Sequence, residues 1–160
     1  PEDIGIYSCT EVSPRFHARL PAREKTYCYR FWPSEAPCVF ARRFVAVMPE
    51  QLDVAAMKQA ADLLLGRHDF SAFCGNAKMK KSTVRELYAI DISRQGQEIQ
   101  IRFTGNGFLY NMVRILTGTL IEVGRGVRSP ESIPALFGAK REQAGFLAPA
   151  QGLCLEEVVY

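Results

Sequence analysis

Apolar and polar positions alternate with period two along residues 25–32 (KTYCYRFW), so Tyr27, Tyr29 and Phe31 share one face and Cys28, Arg30 and Trp32 the other. Similar β-forming runs predict strands over 4–12 (IGIYSCTEV), 42–48 (RRFVAVM), 83–93 (TVRELYAIDIS), 98–104 (EIQIRFT) and 153–160 (LCLEEVVY). The pair around Gly96 reads as a hairpin. The period becomes helical after Pro49-Glu50, where Leu52, Ala55, Ala56, Ala60, Leu63 and Leu64 recur on one stripe and Gly66 is placed as a cap. A second helix is expected over 108–123, entered through Gly105-Asn106-Gly107, and a shorter one from Pro130 to about Phe137. Residues 33–37 and 74–82 read as loops, and 68–73 as a connector. The order β-β-β-α-β-β-α-α-β is rich in hairpins and lacks βαβ alternation. It predicts an α+β fold, a mainly antiparallel sheet with two or three helices packed on one face.

At 160 residues and 48% hydrophobic content, the chain suits one domain over 1–160 with a real core. No apolar run reaches the length of a membrane helix, because Arg114 interrupts the longest one. The opening residues Pro1-Glu2-Asp3-Ile4 carry no signal-peptide pattern and read like the interior of a longer protein, so a portion of such a protein is expected. The five cysteines (Cys9, Cys28, Cys38, Cys74 and Cys154) are odd in number and nowhere spaced as C-x-x-C. That excludes a disulfide framework or zinc ribbon and points to a reducing cytoplasm, with Cys28, Cys74 and Cys154 as small buried hydrophobes.

A net charge of +3 does not announce a nucleic-acid binder, but its distribution is informative. Residues 12–23 hold Arg15, His17, Arg19 and Arg23 without an acid. Residues 70–85 hold Lys78, Lys80, Lys81 and Arg85, and residues 99–121 hold Arg102 and Arg114, again without an acid. Brought together in space, these segments form a basic face that suits phosphates; kept apart, they are three solvated patches.

Arg114 sits in an otherwise apolar helix with Tyr110 and Gly118 four residues away and Asn111 and Thr117 three away. A buried guanidinium needs a partner, because an unpaired charge in a dry site is very costly. That partner is either a structural carboxylate elsewhere in the fold or the carboxylate or phosphate of an active site. The small residues 117–119 allow a close approach by another element. The turn at 105–107 offers backbone N–H groups but has no nucleotide-binding fingerprint. Phe16 and His17 shortly precede the strand of Tyr27 and Tyr29; His17 reads equally as a surface or packed histidine and the tyrosines as core residues, whereas an exposed tyrosine next to arginines is a platform for an unstacked base.

Taken in order, “FHAR”, “KTYCY”, “HDFSAF”, “KSTVR”, “GNGFLYNMVRILTGTLIEVGRG” and “APAQGLCLEEVVY” resemble the C-terminal part of the tRNA pseudouridine synthase A family, from about residue 4 to the end. The resemblance implies isomerisation of uridine to pseudouridine at positions 38–40 of the tRNA anticodon stem-loop. It implies no metal and no cofactor, and a homodimer. It makes Tyr27 the residue packed on the target base, Arg114 the partner of the catalytic aspartate and Leu153 a wall of the uracil pocket. Phe16, His17, Arg19 and Asn111 become substrate contacts, and Lys78, Lys80, Lys81 and Arg85 contacts to the tRNA backbone. The family's nucleophile lies in an Arg-Thr-Asp-x-Gly motif. Asp3, Asp53, Asp62, Asp69 and Asp91 all lack that context. The chain alone is therefore expected to be inactive. The alternative is a stand-alone, non-catalytic RNA-binding module.

Overall fold

The computed structural model describes residues 2–34, 39–48, 51–76 and 78–160. They form six strands: β1 (Glu24–Trp32), β2 (Ala46–Val47), β3 (Gly66–Asp69), β4 (Val84–Gln95), β5 (Glu98–Gly105) and β6 (Leu153–Val159). Two α-helices, α1 (Val54–Asp62) and α2 (Met112–Gly124), and four short 3-10 turns complete the described residues. The sheet runs β2-β1-β5-β4-β3. Along the edge of β1 opposite β5, β6 pairs antiparallel with Glu24–Tyr29, and β2 pairs parallel with Phe31–Trp32. Every other pairing is antiparallel, so the α+β expectation holds.

Register explains why the helices share one face. Tyr27 stands opposite Phe103, Tyr29 opposite Ile101 and Phe31 opposite Ile99, while Ile90 and Ile92 of β4 continue the row across Phe103 and Ile101. All of these belong to one apolar cluster that also takes Met57, Ala60 and Ala61 of α1 and the apolar side of α2. Full burial of one such large side chain contributes roughly 1.5–3 kcal/mol. The other face is polar. There Arg30 grips Glu98 (Nε–Oε1 2.7 Å, Nη2–Oε2 2.9 Å) and Arg102 grips Glu156 (2.9 and 3.3 Å). Arg30 and then Gln100, through hydrogen bonds, hold the Glu98 carboxyl below its ordinary range.

Several expectations are corrected. Residues 4–12 form no strand; Ile4, Ile6 and Tyr7 are exposed, and no described strand offers them a ladder. Alternation without a pairing partner leaves backbone groups to water. The strand expected over 42–48 shrinks to Ala46–Val47. Pro49 and Glu50 lie outside the described residues, as do Cys38 and most of the loop 33–37. α1 starts at Val54 because the Asp53 side chain accepts the Ala56 N–H (3.0 Å). Gly66 is not its cap. It opens β3 at φ 93, so the connector at 68–73 contains a strand paired with β4. The segment at Pro130–Leu136 is a 3-10 turn, since Pro134 lacks the N–H an α-helix needs there. Cys28 and Cys74 are buried, but Cys154 is exposed on the edge strand β6.

α2 starts at Met112 rather than at 108, because Asn111 adopts the left-handed conformation (φ 59) and breaks the helical path. Within α2, only Arg114 and Glu122 escape full burial. The small residues 117–119 receive the loop at 144–148. A Cβ on Gly118 would collide with the Phe146 carbonyl, and one on Gly145 would lie 2.5 Å from the Thr119 nitrogen. Thr119 Oγ1 accepts the Gly145 N–H (2.9 Å), Glu122 accepts the Phe146 N–H (3.2 Å), and the Arg125 guanidinium lies over the Phe146 ring.

Gly118→Ala tests this contact. The helix gains about 1 kcal/mol from alanine, but overpacking against a backbone carbonyl costs about 1–3 kcal/mol. Because the clash is with a backbone carbonyl rather than a movable side chain, the upper end of that cost applies; a net loss of about 2 kcal/mol is expected in urea unfolding, and unchanged or increased stability would refute the close approach. Cys28 provides a second check. Burial pushes its thiol up to about 11, with Arg102 opposing. At pH 8, alkylation followed by peptide mapping should mark Cys9 and Cys154 and spare Cys28 and Cys74. Because the folded state favours the neutral Cys28 thiol, its contribution to stability is complete below the ordinary value of 9.0 and is lost as pH rises toward about 11.

Candidate active site at the head of α2

β1, the turn before α2 and the start of β6 converge on a small cavity of about 130 Å³ lined mostly by apolar residues. Tyr27, Phe108, Asn111, Val113 and Leu153 are in its lining. Register brings two of them together: Leu153 pairs with Tyr29, two residues along β1 from Tyr27 and on the same face. The Phe108 ring stands edge-on to Tyr27 with centroids 5.1 Å apart. The Tyr27 hydroxyl makes no hydrogen bond with the described residues, so the ring is held by packing alone.

Arg114 does not line this cavity but is joined to it through Asn111. Its Nε donates to the Ala148 carbonyl (2.7 Å) and its Nη1 to Asn111 Oδ1 (3.4 Å). The Ala148 N–H returns to the Arg114 carbonyl (3.2 Å). Among the described residues no carboxylate pairs with Arg114; the described ion pairs use Arg30, Arg102 and Arg128. The structural salt bridge left open by the sequence is therefore absent from the described residues, and a half-buried guanidinium keeps unused donors beside that cavity. Of the aspartates, Asp53 caps α1, Asp69 accepts from Ser71 N and Thr83 Oγ1, and Asp91 stands opposite Arg102 in the register of β4 and β5.

The loop that holds Arg114 also holds the floor of the site. Tyr29 is fully buried and donates to the Pro149 carbonyl (2.7 Å). Burial pushes its phenol well above the ordinary value, and the Arg114 cation pulls the other way, so Tyr29 remains a neutral donor. Gly152 lies flat against it, where a Cβ would come within 2.8 Å of the ring. Leu153 follows immediately, so its position depends on this packing.

The remaining sequence candidates fall elsewhere. Phe16 tilts onto Tyr160 (centroids 5.0 Å), and His17 Nδ1 accepts the amides of Arg19 and Leu20. Both line a shallow surface depression with Ser13 and Arg15, not the cavity. Arg19 and Arg85 meet in a neighbouring cleft. Lys78, Lys80 and Lys81 are exposed on the 74–83 loop and line neither space. Two contributors were missed. Lys25 shares the cleft with Arg19, and its odd-numbered place on the Tyr27 face of β1 was a readable signal. Ala148 acts only through its carbonyl, for which sequence carries no signal.

A model of the family described as tRNA pseudouridine synthase matches residues 60–160. The tRNA pseudouridine synthase A 2 of Bacillus anthracis is 45% identical over 161 residues, covering 100% of this chain and 66% of the relative. The chain belongs to the tRNA pseudouridine synthase family. The tRNA pseudouridine synthase A 2 of Clostridium perfringens is 44% identical over all of this chain, and the tRNA pseudouridine synthase A of Geobacillus kaustophilus 43%. The chain spans 66% and 62% of those two, about two thirds of the relatives' length. Among the described residues, no cluster of His, Cys, Asp or Glu is arranged to hold a metal ion, and no helix is long and apolar enough to cross a membrane.

Tyr29→Phe isolates the loop contact from the cavity. It removes one buried hydrogen bond and leaves the Pro149 carbonyl without its donor, an expected loss of about 1–2 kcal/mol in urea unfolding. Stability within error of the parent would show that the loop is held by packing alone.

Proposed function

We propose that these 160 residues form the base-binding part of a tRNA pseudouridine synthase that converts uridine to pseudouridine in the anticodon stem-loop, at positions 38–40. The carrying observation is Arg114, whose donors remain free of any carboxylate among the described residues while Ala148 and Asn111 hold it in place. An aspartate delivered to it from outside this set of residues would complete the site. The guanidinium would keep that carboxylate ionised, because an opposite charge at short range favours the charged form.

In this reading the target nucleotide leaves the RNA stack, as chemistry on a base requires. Tyr27 packs on the face of the uracil and Leu153 closes the pocket beside it. The aspartate attacks the sugar carbon C1′ as the bond from C1′ to N1 breaks, and the base turns while held in the pocket. C5 then attacks C1′ and displaces the aspartate, whose bond to that carbon breaks; C5 releases its proton and N1 takes one up. The balance is that of an isomerisation and calls for no oxidant or metal. The complete protein is read as a cytoplasmic homodimer with tRNA as partner, and residues 1–160 as one domain that is inactive alone.

The test uses a protein that carries these residues together with the Arg-Thr-Asp segment. Tritium release from tRNA labelled at uridine C5 should fall by roughly 10²–10³ in Arg114→Ala, while tRNA affinity changes little. Turnover within a few-fold of the parent would remove Arg114 from the chemistry.

A further inference from the structure

A second space of about 370 Å³ adjoins the base cavity, and its lining includes Arg19, Lys25, Arg85, Asn106, Gly107 and Phe108. Three cations from three separate stretches of chain face it, and no carboxylate does. Among the described residues none of the three is ion-paired. Arg85 spends only Nη1 on its own turn, donating to the Ser82 (3.0 Å) and Val84 (2.6 Å) carbonyls, which fixes the guanidinium and leaves Nε and Nη2 free. The floor is pinned to β4: Asn106 N donates to the Glu86 carbonyl and Glu86 N to Asn106 Oδ1, each at 3.1 Å. The next two amides, of Gly107 and Phe108, make no hydrogen bond with the described residues. Converging cations without a counter-ion repel one another, and an anion relieves that repulsion. Free backbone amides together with Arg and Lys donors are the groups that bind phosphate oxygens.

Phe108 lines both spaces, so the cation cleft and the base cavity are immediate neighbours. We infer that the Arg19–Lys25–Arg85 cleft is a phosphate seat for the RNA strand on which the flipped nucleotide lies, taking a phosphodiester adjacent to it. The choice of RNA rests on the base-pocket reading above. The presence of an anion site rests on the cleft alone. The seat explains why acids are kept off 12–23 and 70–85: one stretch supplies Arg19 and the other Arg85.

The experiment is an amide and guanidinium NMR titration of the ¹⁵N-labelled chain with three probes: uridine, inorganic phosphate and a short single-stranded oligouridylate. The oligomer should shift Gly107, Phe108 and the Arg85 Nε–H together with Tyr27 and Leu153, whereas uridine should shift only Tyr27 and Leu153. In Lys25→Gln/Arg85→Gln, the slope of log affinity against log salt for the oligomer should fall by about 1.4, two contacts at about 0.7 each. Arg19→Gln alone should lower it by about 0.7. If Tyr27 and Leu153 move but Gly107 and Phe108 do not, or if the slope is unchanged, the seat is refuted and the base pocket stands. If the cleft responds and the cavity does not, the seat stands and the base-pocket reading fails. Shifts from inorganic phosphate as large as those from the oligomer at equal concentration would make the cleft a free-anion site and refute its assignment to RNA. No shift from any probe would refute both.

Discussion

The close contact between α2 and the loop at 144–152 is the constraint on which the rest of the site depends. Gly118 and Gly145 remove the two Cβ atoms that would hold the loop away. Once it approaches, its backbone becomes a set of acceptors at fixed positions. The Ala148 carbonyl takes Arg114, and the Pro149 carbonyl takes Tyr29. Gly152 then lies flat on the Tyr29 ring and hands the chain to Leu153 at the start of β6. A backbone carbonyl cannot rotate away as a side chain can, so the guanidinium is aimed by the fold itself.

That geometry resolves the tension of a cation in a buried helix. Arg114 keeps part of its surface and gains two uncharged acceptors, so it folds without a carboxylate and avoids the full cost of desolvating an unpaired charge. On the outer face of the sheet the opposite solution is used. Arg30 and Arg102 are each matched bidentately by Glu98 and Glu156, which leaves that surface internally neutralised. The contrast separates structural arginines from those with donors to spare.

Much of the architecture was legible because it follows from local chemistry. The alternation of 25–32 sorts Tyr27, Tyr29 and Phe31 onto the core face, and the Gln95 to Glu98 pairing around Gly96 (φ 61) is the two-residue hairpin that the sequence announced. The motifs around Tyr27, Arg114 and Leu153 identified the family before any contact was known. Two of the failures depend on a partner distant in sequence. Residues 4–12 alternate like a strand but meet no described ladder, and Cys154 looks like a core residue but lies on an edge strand. The start of α2 was misplaced because one residue, Asn111, takes a left-handed conformation that composition does not reveal.

By itself, the sequence determined the period of β1, β4, β5 and the body of α2, the core face of β1 and the family. Those properties belong to one residue and its near neighbours along the chain. Only the tertiary structure decided that β6 lies against β1, that Leu153 reaches Tyr27, that Arg114 is tied to Ala148, and that Arg19, Lys25 and Arg85 enclose one cleft. The physical reason is that these contacts span dozens of residues and are set by shape: two missing Cβ atoms, a strand register and the packing of a loop.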